Sequence, residues 1–207
     1  MVRREGEDAV KPADLATRLG QGSIVAAAAK VFARAGFVDT RVEDILTAAG
    51  VARRTFYRYF SSKESVLAAV YEVATAELIH AIRALPTREP LLALRHGLDL
   101  YLDYHVENGA LLRVLIEQAM ASDSPLAAPR RHFRGKLVKL LDEAVRATTG
   151  EVHPPILYLA LISALEGTSL ELLAGTSSPA DVARAKQAMH LVLDRVLAPK
   201  EHPALRR

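Results

Sequence analysis

The sequence predicts an all-α fold, and three observations carry that prediction. Apolar residues recur at steps of three and four along most of the 207 residues, no stretch alternates with a period of two, and the interruptions fall at proline and glycine clusters. The expected organisation is a flexible leader over residues 1–21, a three-helix unit with a helix-turn-helix over residues 22–64, and a second helical domain over residues 65–207. No repeat of 20 to 50 residues is visible.

Residues 1–21 mix Arg3, Arg4, Lys11 and Arg18 with Glu5, Glu7, Asp8 and Asp14 without sustained periodicity, which predicts a mobile leader. Arg3 and Arg4 could form a minor-groove arm, but the neighbouring acids oppose it. Ser23 is expected to cap a helix with Ile24, Ala27, Ala28, Val31 and Phe32 on one side, ending near Gly36. Thr40 and Glu43 have the spacing of a capping box, and Val42, Ile45, Leu46 and Ala49 give the helix they open an apolar face. Gly50 can adopt the left-handed conformation that ends this helix and starts a turn of about three residues.

A second short helix follows. Phe56, Tyr59 and Phe60 form its inward stripe, which leaves Arg53, Arg54, Thr55, Tyr57 and Arg58 pointing outward. Such a surface suits the DNA major groove: arginine donates two parallel hydrogen bonds to guanine or clamps a phosphate, threonine touches a thymine methyl, and a phenol reaches backbone oxygens. Lys63, close to the N-terminus of the next helix, is expected to dock a phosphate. Charge distribution agrees. Residues 1–63 hold 11 Lys/Arg and 7 Asp/Glu, a balance of +4, leaving 16 and 17, or −1, for residues 64–207; between Gly50 and Lys63 there is no acid. A solvated basic face that binds nothing is the plainer alternative.

A long helix is expected from Ser62 to about Leu85, with Val66, Leu67, Val70, Tyr71, Ala74, Leu78 and Ile82 in register. Further helices should be separated by Pro90, Asn108-Gly109, Ser122 to Pro129, Thr149-Gly150 with Pro154-Pro155, and Gly175 to Pro179. The absence of cysteine removes disulfides, thiol nucleophiles and thiolate metal sites, and fits a cytoplasmic location. No unbroken apolar run approaches the ~20 residues of a membrane span, and Met1 to Leu19 lacks a signal-peptide core.

At Thr40, Ala49-Gly50-Val51, Thr55 to Phe60 with its Tyr-x-x-Phe ending, and Lys63-Glu64, the chain resembles the TetR/AcrR family of transcriptional regulators. Three positions depart from the pattern. Ala52 stands where the family usually has a capping serine, Arg54 where a small residue is common, and Leu46 where a small side chain is preferred. The resemblance implies a dimeric regulator of double-stranded DNA, most often a repressor, with Thr40, Arg41, Arg53, Arg54, Thr55, Tyr57, Arg58, Tyr59 and Lys63 at the DNA.

It also implies that the last two helices pair across a two-fold axis. Val182, Ala185, Met189, Val192 and Val196, widened by Leu193 and Leu197, form a seam there, and Ala160, Ala164 and Gly167 form a small-residue strip. An ordinary core stripe within one subunit would show the same spacing.

The middle helices should enclose a small-molecule effector of unknown identity. Leu94, Leu98, Tyr101 and His105 share one face, and Glu166 is in phase with Leu159, Ile162, Leu170 and Leu173, where a carboxylate needs an ion-pair partner such as Arg184 or a polar ligand. Tyr104, Glu117, Met120, Phe133 and Tyr158 complete the expected pocket with Ile162, because such helices surround the ligand in similar proteins. An effector offering a cation or a hydrogen-bond donor would suit Glu166. Ligand binding would tilt the long helix and change the spacing of the two recognition helices. The alternative is a helix-turn-helix protein answering to a protein partner or serving an architectural role. An enzyme is not expected: there is no glycine-rich phosphate loop, no nucleophile elbow and no pair of the 7 histidines at i, i+4. No cofactor or metal is implied.

Overall fold

The computed structural model describes residues 12–87, 89–175 and 177–197, and these contain nine helices and no strand. They are α1 (Pro12–Ala35), α2 (Val42–Ala49), α3 (Arg53–Tyr59), α4 (Lys63–Arg83), α5 (Pro90–Glu107), α6 (Gly109–Met120), α7 (Ala127–Thr149), α8 (Pro155–Ala174) and α9 (Pro179–Leu197). The chain divides into two compact units, residues 1–70 and 71–207, so α4 starts in the first and ends in the second.

In the first unit, α1 corrects the expected leader. It begins at Pro12, a residue suited to a first helical turn, whereas Arg3 and Arg4 lie outside the described residues. Gly20 and Gly22, each costing about 1 kcal/mol of helix propensity relative to alanine, broke the sequence pattern. Ser23 is accordingly mid-helix, its hydroxyl donating to the Gly20 carbonyl at 2.9 Å. Gly20 leaves room for a neighbour: a Cβ there would lie 2.8 Å from the Tyr59 hydroxyl of α3. Ile24, Ala28, Phe32, Ile45, Phe56 and Phe60 are buried and form the core that holds α1, α2 and α3 together.

The start of α2 also differs from expectation. The Thr40 hydroxyl donates to the Gly36 carbonyl at 2.6 Å, and Asp44, not Glu43, reaches back to accept from the Arg41 amide at 2.7 Å. Arg41 is thus the residue before the helix, and Glu43 is released to pair with Arg53. Gly50 ends α2 at φ 64°, and Ala52 precedes α3 without a side-chain cap.

In the second unit, α5 packs on α7, α8 and α9, while α6 lies against α8. Two ion pairs and, between them, a carboxylate–imidazole approach run along the α5–α9 seam. Arg95 meets Asp194 at 2.6 Å, Asp99 meets His190 at 3.0 Å and Lys186 meets Asp103 at 2.7 Å, each step being four residues along antiparallel helices. Met189 and Leu193 are 4% and 1% exposed within the single chain, which corrects their assignment to a surface seam. Val182 and Ala185 are half-buried, Val192 is exposed, and the side chains of Val196 and Leu197 lie outside the described residues.

Although unbroken apolar runs are short, α4 and α8 are long and apolar enough to cross a membrane by length and composition, with mean hydropathy 1.4 and 1.6. Helix α8 nevertheless buries Tyr158, Leu161, Ile162, Leu165, Ser169 and Leu172 inside the helical unit.

Candidate nucleic-acid interface and internal cavity

Helix α3 is held from below by Phe56 and Phe60, and its other side is solvated. Arg53, Arg54, Tyr57 and Arg58 are exposed and Thr55 is half-buried, as the stripe of aromatics requires. Their freedom differs. Arg53 pairs with Glu43 of α2 and lies 5.9 Å from the Tyr57 ring centroid. Arg58 donates to the Tyr59 hydroxyl at 2.6 Å and stacks 4.7 Å above that ring. Tyr59 is half-buried under this cover, and its hydroxyl abuts Gly20. Arg54 and Arg41 are exposed and take part in no ion pair among the described residues.

Lys63 does not stand free to dock a phosphate. Its ammonium donates to the carbonyls of Phe37 at 2.7 Å, Val38 at 3.2 Å and Thr40 at 2.7 Å, and lies 4.3 Å from the Phe37 ring centroid. Three donors meet three acceptors, so the lysine pins the loop before α2 to the start of α4. Thr40 is likewise 2% exposed and withdrawn from the surface.

In the second unit, Tyr101, Tyr104, His105, Phe133 and Glu166 line one internal cavity of about 30 Å³. That volume is about one water's share of the liquid, far below the roughly 300–1,000 Å³ of a typical ligand site. Tyr71, Leu78, Leu112, Leu115 and Arg130 also line it and were not anticipated. Ile162 belongs instead to a neighbouring aliphatic cavity of about 70 Å³, with Leu98, Leu137, Leu161 and Leu193; Tyr101 lines both.

The remaining expected pocket residues fall elsewhere. Glu117 is exposed and pairs with Arg113 at 2.9 Å, because it faces outward on α6. Met120 is 51% exposed and edges an outer groove. The buried Tyr158 turns its hydroxyl to Asp142 at 3.2 Å and lines neither cavity.

Glu166 faces the first cavity, but its charge is already met. Arg130 donates to both carboxylate oxygens, at 2.6 and 3.3 Å, and Arg134 lies 3.6 Å away. Arg184, expected as a partner, instead pairs with Asp181 on its own helix. Two guanidinium groups against one carboxylate leave the site cationic, so the expectation of a cationic effector loses its basis. His105 adds no charge: burial is the main cause that pulls its pKa down to about 4, against the opposing carbonyl bond and Glu166. Its Nδ1 lies 2.7 Å from the Tyr101 carbonyl and its ring stacks on Tyr101 at 4.2 Å. Burial raises the Tyr71 and Tyr101 phenols first, and the Glu166 charge adds to that, so both remain protonated donors.

Residues 24–70 match the family model of bacterial regulatory proteins of the tetR family. Among curated proteins, the HTH-type transcriptional regulator EthR of Mycolicibacterium smegmatis is 28% identical over 49% of this chain and 48% of its own length. The HTH-type transcriptional repressor NicS of Pseudomonas putida is 35% identical over 45% of each chain. The alignments thus span about half the length of these relatives. A solved structure of Thermus thermophilus FadR, a TetR-family transcriptional repressor in complex with lauroyl-CoA, is 25% identical with a TM-score of 0.66, over 89% of this chain and 98% of that one. This protein thus shares with TetR-family regulators a match to their family model through residues 24–70 and an all-helical architecture over nearly the whole chain.

Proposed function

We propose that the chain is a DNA-binding transcriptional regulator that acts as a dimer and answers to a small molecule held in the second unit. The observation that carries this reading is the exposed face of α3, where Arg54, Tyr57 and Arg58 project from a helix anchored by buried Phe56 and Phe60. Arg53, Thr55 and Arg41 border that face, whereas Lys63 and Thr40 support it from within. Dimerisation is supported by unpartnered apolar surface on the last two helices. Ile156 is 69% and Leu191 59% exposed, with Ala160 and Ala164 exposed between the larger side chains. Two recognition helices would then meet successive major grooves about 34 Å apart.

Ligand control is supported by the cavity beside α4, the helix that begins in the DNA-binding unit. The relatives named as repressors favour release from DNA as the response. Moving a dimer from mostly bound to mostly free needs about 5.5 kcal/mol of differential ligand affinity.

The test is a titration of the full chain against duplexes selected from random DNA. Arg54→Ala should weaken the best duplex by about 1–3 kcal/mol and relax preference at one base position. Equal affinity of wild type and Arg54→Ala for selected and scrambled duplexes would refute the assignment of α3.

A further inference from the structure

The cations around α3 are not equivalent, and one carboxylate makes the difference. Arg54 and Arg41 take part in no ion pair among the described residues, and Arg58 lies over the Tyr59 ring. Arg53 is met by an acid, Glu43 of α2, through its Nη2 nitrogen. The two side chains are 60% and 57% exposed, so the pair sits in solvent at the rim of the α3 surface and adds little to folding.

Helix α2 does not need Glu43 for its own start, because Asp44 accepts from the Arg41 amide there. Between Gly50 and Lys63 there is no acid at all. A carboxylate brought to this basic surface from α2 cancels part of the field that attracts phosphate, and so works against DNA binding in general.

What the pair leaves intact is the set of donors. A guanidinium carries five N–H groups, and the Glu43 contact engages Nη2; Nε and Nη1 of Arg53 make no hydrogen bond among the described residues. The Tyr57 ring, its centroid 5.9 Å from the guanidinium carbon, flanks the same group. Attraction to phosphate follows net charge and acts at a distance, whereas reading a base edge depends on directed donors at contact. Neutralising Arg53 therefore weakens the first more than the second.

We infer that Glu43 is a specificity-determining residue of the α3 surface: it takes Arg53 out of the indiscriminate attraction to phosphate and leaves the free N–H groups of that arginine to read a base edge. The inference rests on the DNA-binding reading of α3 and adds how that surface rejects unrelated sequence.

Titration of the full chain over a series of salt concentrations, against a selected duplex and its scrambled counterpart, tests this with Glu43→Gln, which keeps the size of the side chain and removes its charge. Affinity for the scrambled duplex should rise by about fivefold per chain, the upper range for an exposed ion pair. Its log–log salt dependence should steepen by about 0.9 per chain, as for one added phosphate contact. The selected duplex should gain less, so the selected-to-scrambled ratio should fall at least about threefold. In a chain already carrying Arg53→Ala, adding Glu43→Gln should leave that ratio and slope as they stand, because the pair is gone.

The inference is overturned if Glu43→Gln raises both affinities by the same factor, since the carboxylate is then one more negative charge, or if the ratio falls equally in the Arg53→Ala background, since Glu43 then acts without Arg53. A lower melting temperature with an unchanged ratio also overturns it and gives Glu43 a structural role at the start of α2. Wild type that binds both duplexes alike overturns the reading of α3 itself. Wild type that prefers the selected duplex, with the same preference in Glu43→Gln, removes this inference alone.

Discussion

Lys63 and His105 are two residues whose chemistry is set by their surroundings. Lys63 gives its three donors to backbone carbonyls, so Lys63→Met should lower the stability of the first unit by about 2 kcal/mol. The salt dependence of DNA binding by the folded variant should stay as in wild type, because no phosphate contact is removed. A flattened salt slope with unchanged melting would return Lys63 to the DNA surface.

His105 is buried neutral with a pKa lowered to about 4, against roughly 6.5 when unfolded. The unfolded chain therefore binds the proton first as pH falls, and stability contributed by the neutral ring is lost between about pH 6.5 and 4. Thermal unfolding across that window should show an acid limb that His105→Phe flattens. The same limb in the variant would assign it to other groups.

At the scale of elements, helix count and order were legible because prolines and glycines punctuate an apolar period that tertiary packing does not disturb. The breaks at Pro90, Asn108-Gly109 and Thr149-Gly150 all coincide with helix ends. The start of α1 was illegible because Gly20 serves a contact with Tyr59 that is distant in sequence. Arg130 and Arg134 were missed for a related reason: within Arg130-Arg131-His132-Phe133-Arg134 a charge run reads as a solvated face. Their spacing of four, in phase with the buried Phe133 and Leu137, was the available signal.

The seam on α9 was misread because a stripe at steps of three and four looks the same whether it meets its own chain or another. Met189 turned inward, and the surface left over is the α8 strip with Leu191 and Val192 of α9. Ala164→Glu should therefore convert a dimer to a monomer in sedimentation while leaving helicity unchanged, since an exposed alanine has no place in the chain's own core. An intact dimer in that variant would move the interface elsewhere.

At the scale of the whole molecule, the proposed regulator would combine an α3 surface that reads DNA, a pairing of two chains that doubles it, and a cavity whose ligand biases one arrangement. These are linked by mass action: a ligand that lowers DNA affinity must lose affinity for the DNA-bound protein by the same factor. DNA recognition is the part on which the others depend, and its stoichiometry tests it most directly. Native mass spectrometry of the full chain with a selected duplex should show two chains per duplex for wild type. The double variant Arg54→Ala, Arg58→Ala should fail to form that complex while remaining a folded dimer. A single chain on the duplex, or a complex undiminished in the double variant, would contradict the account.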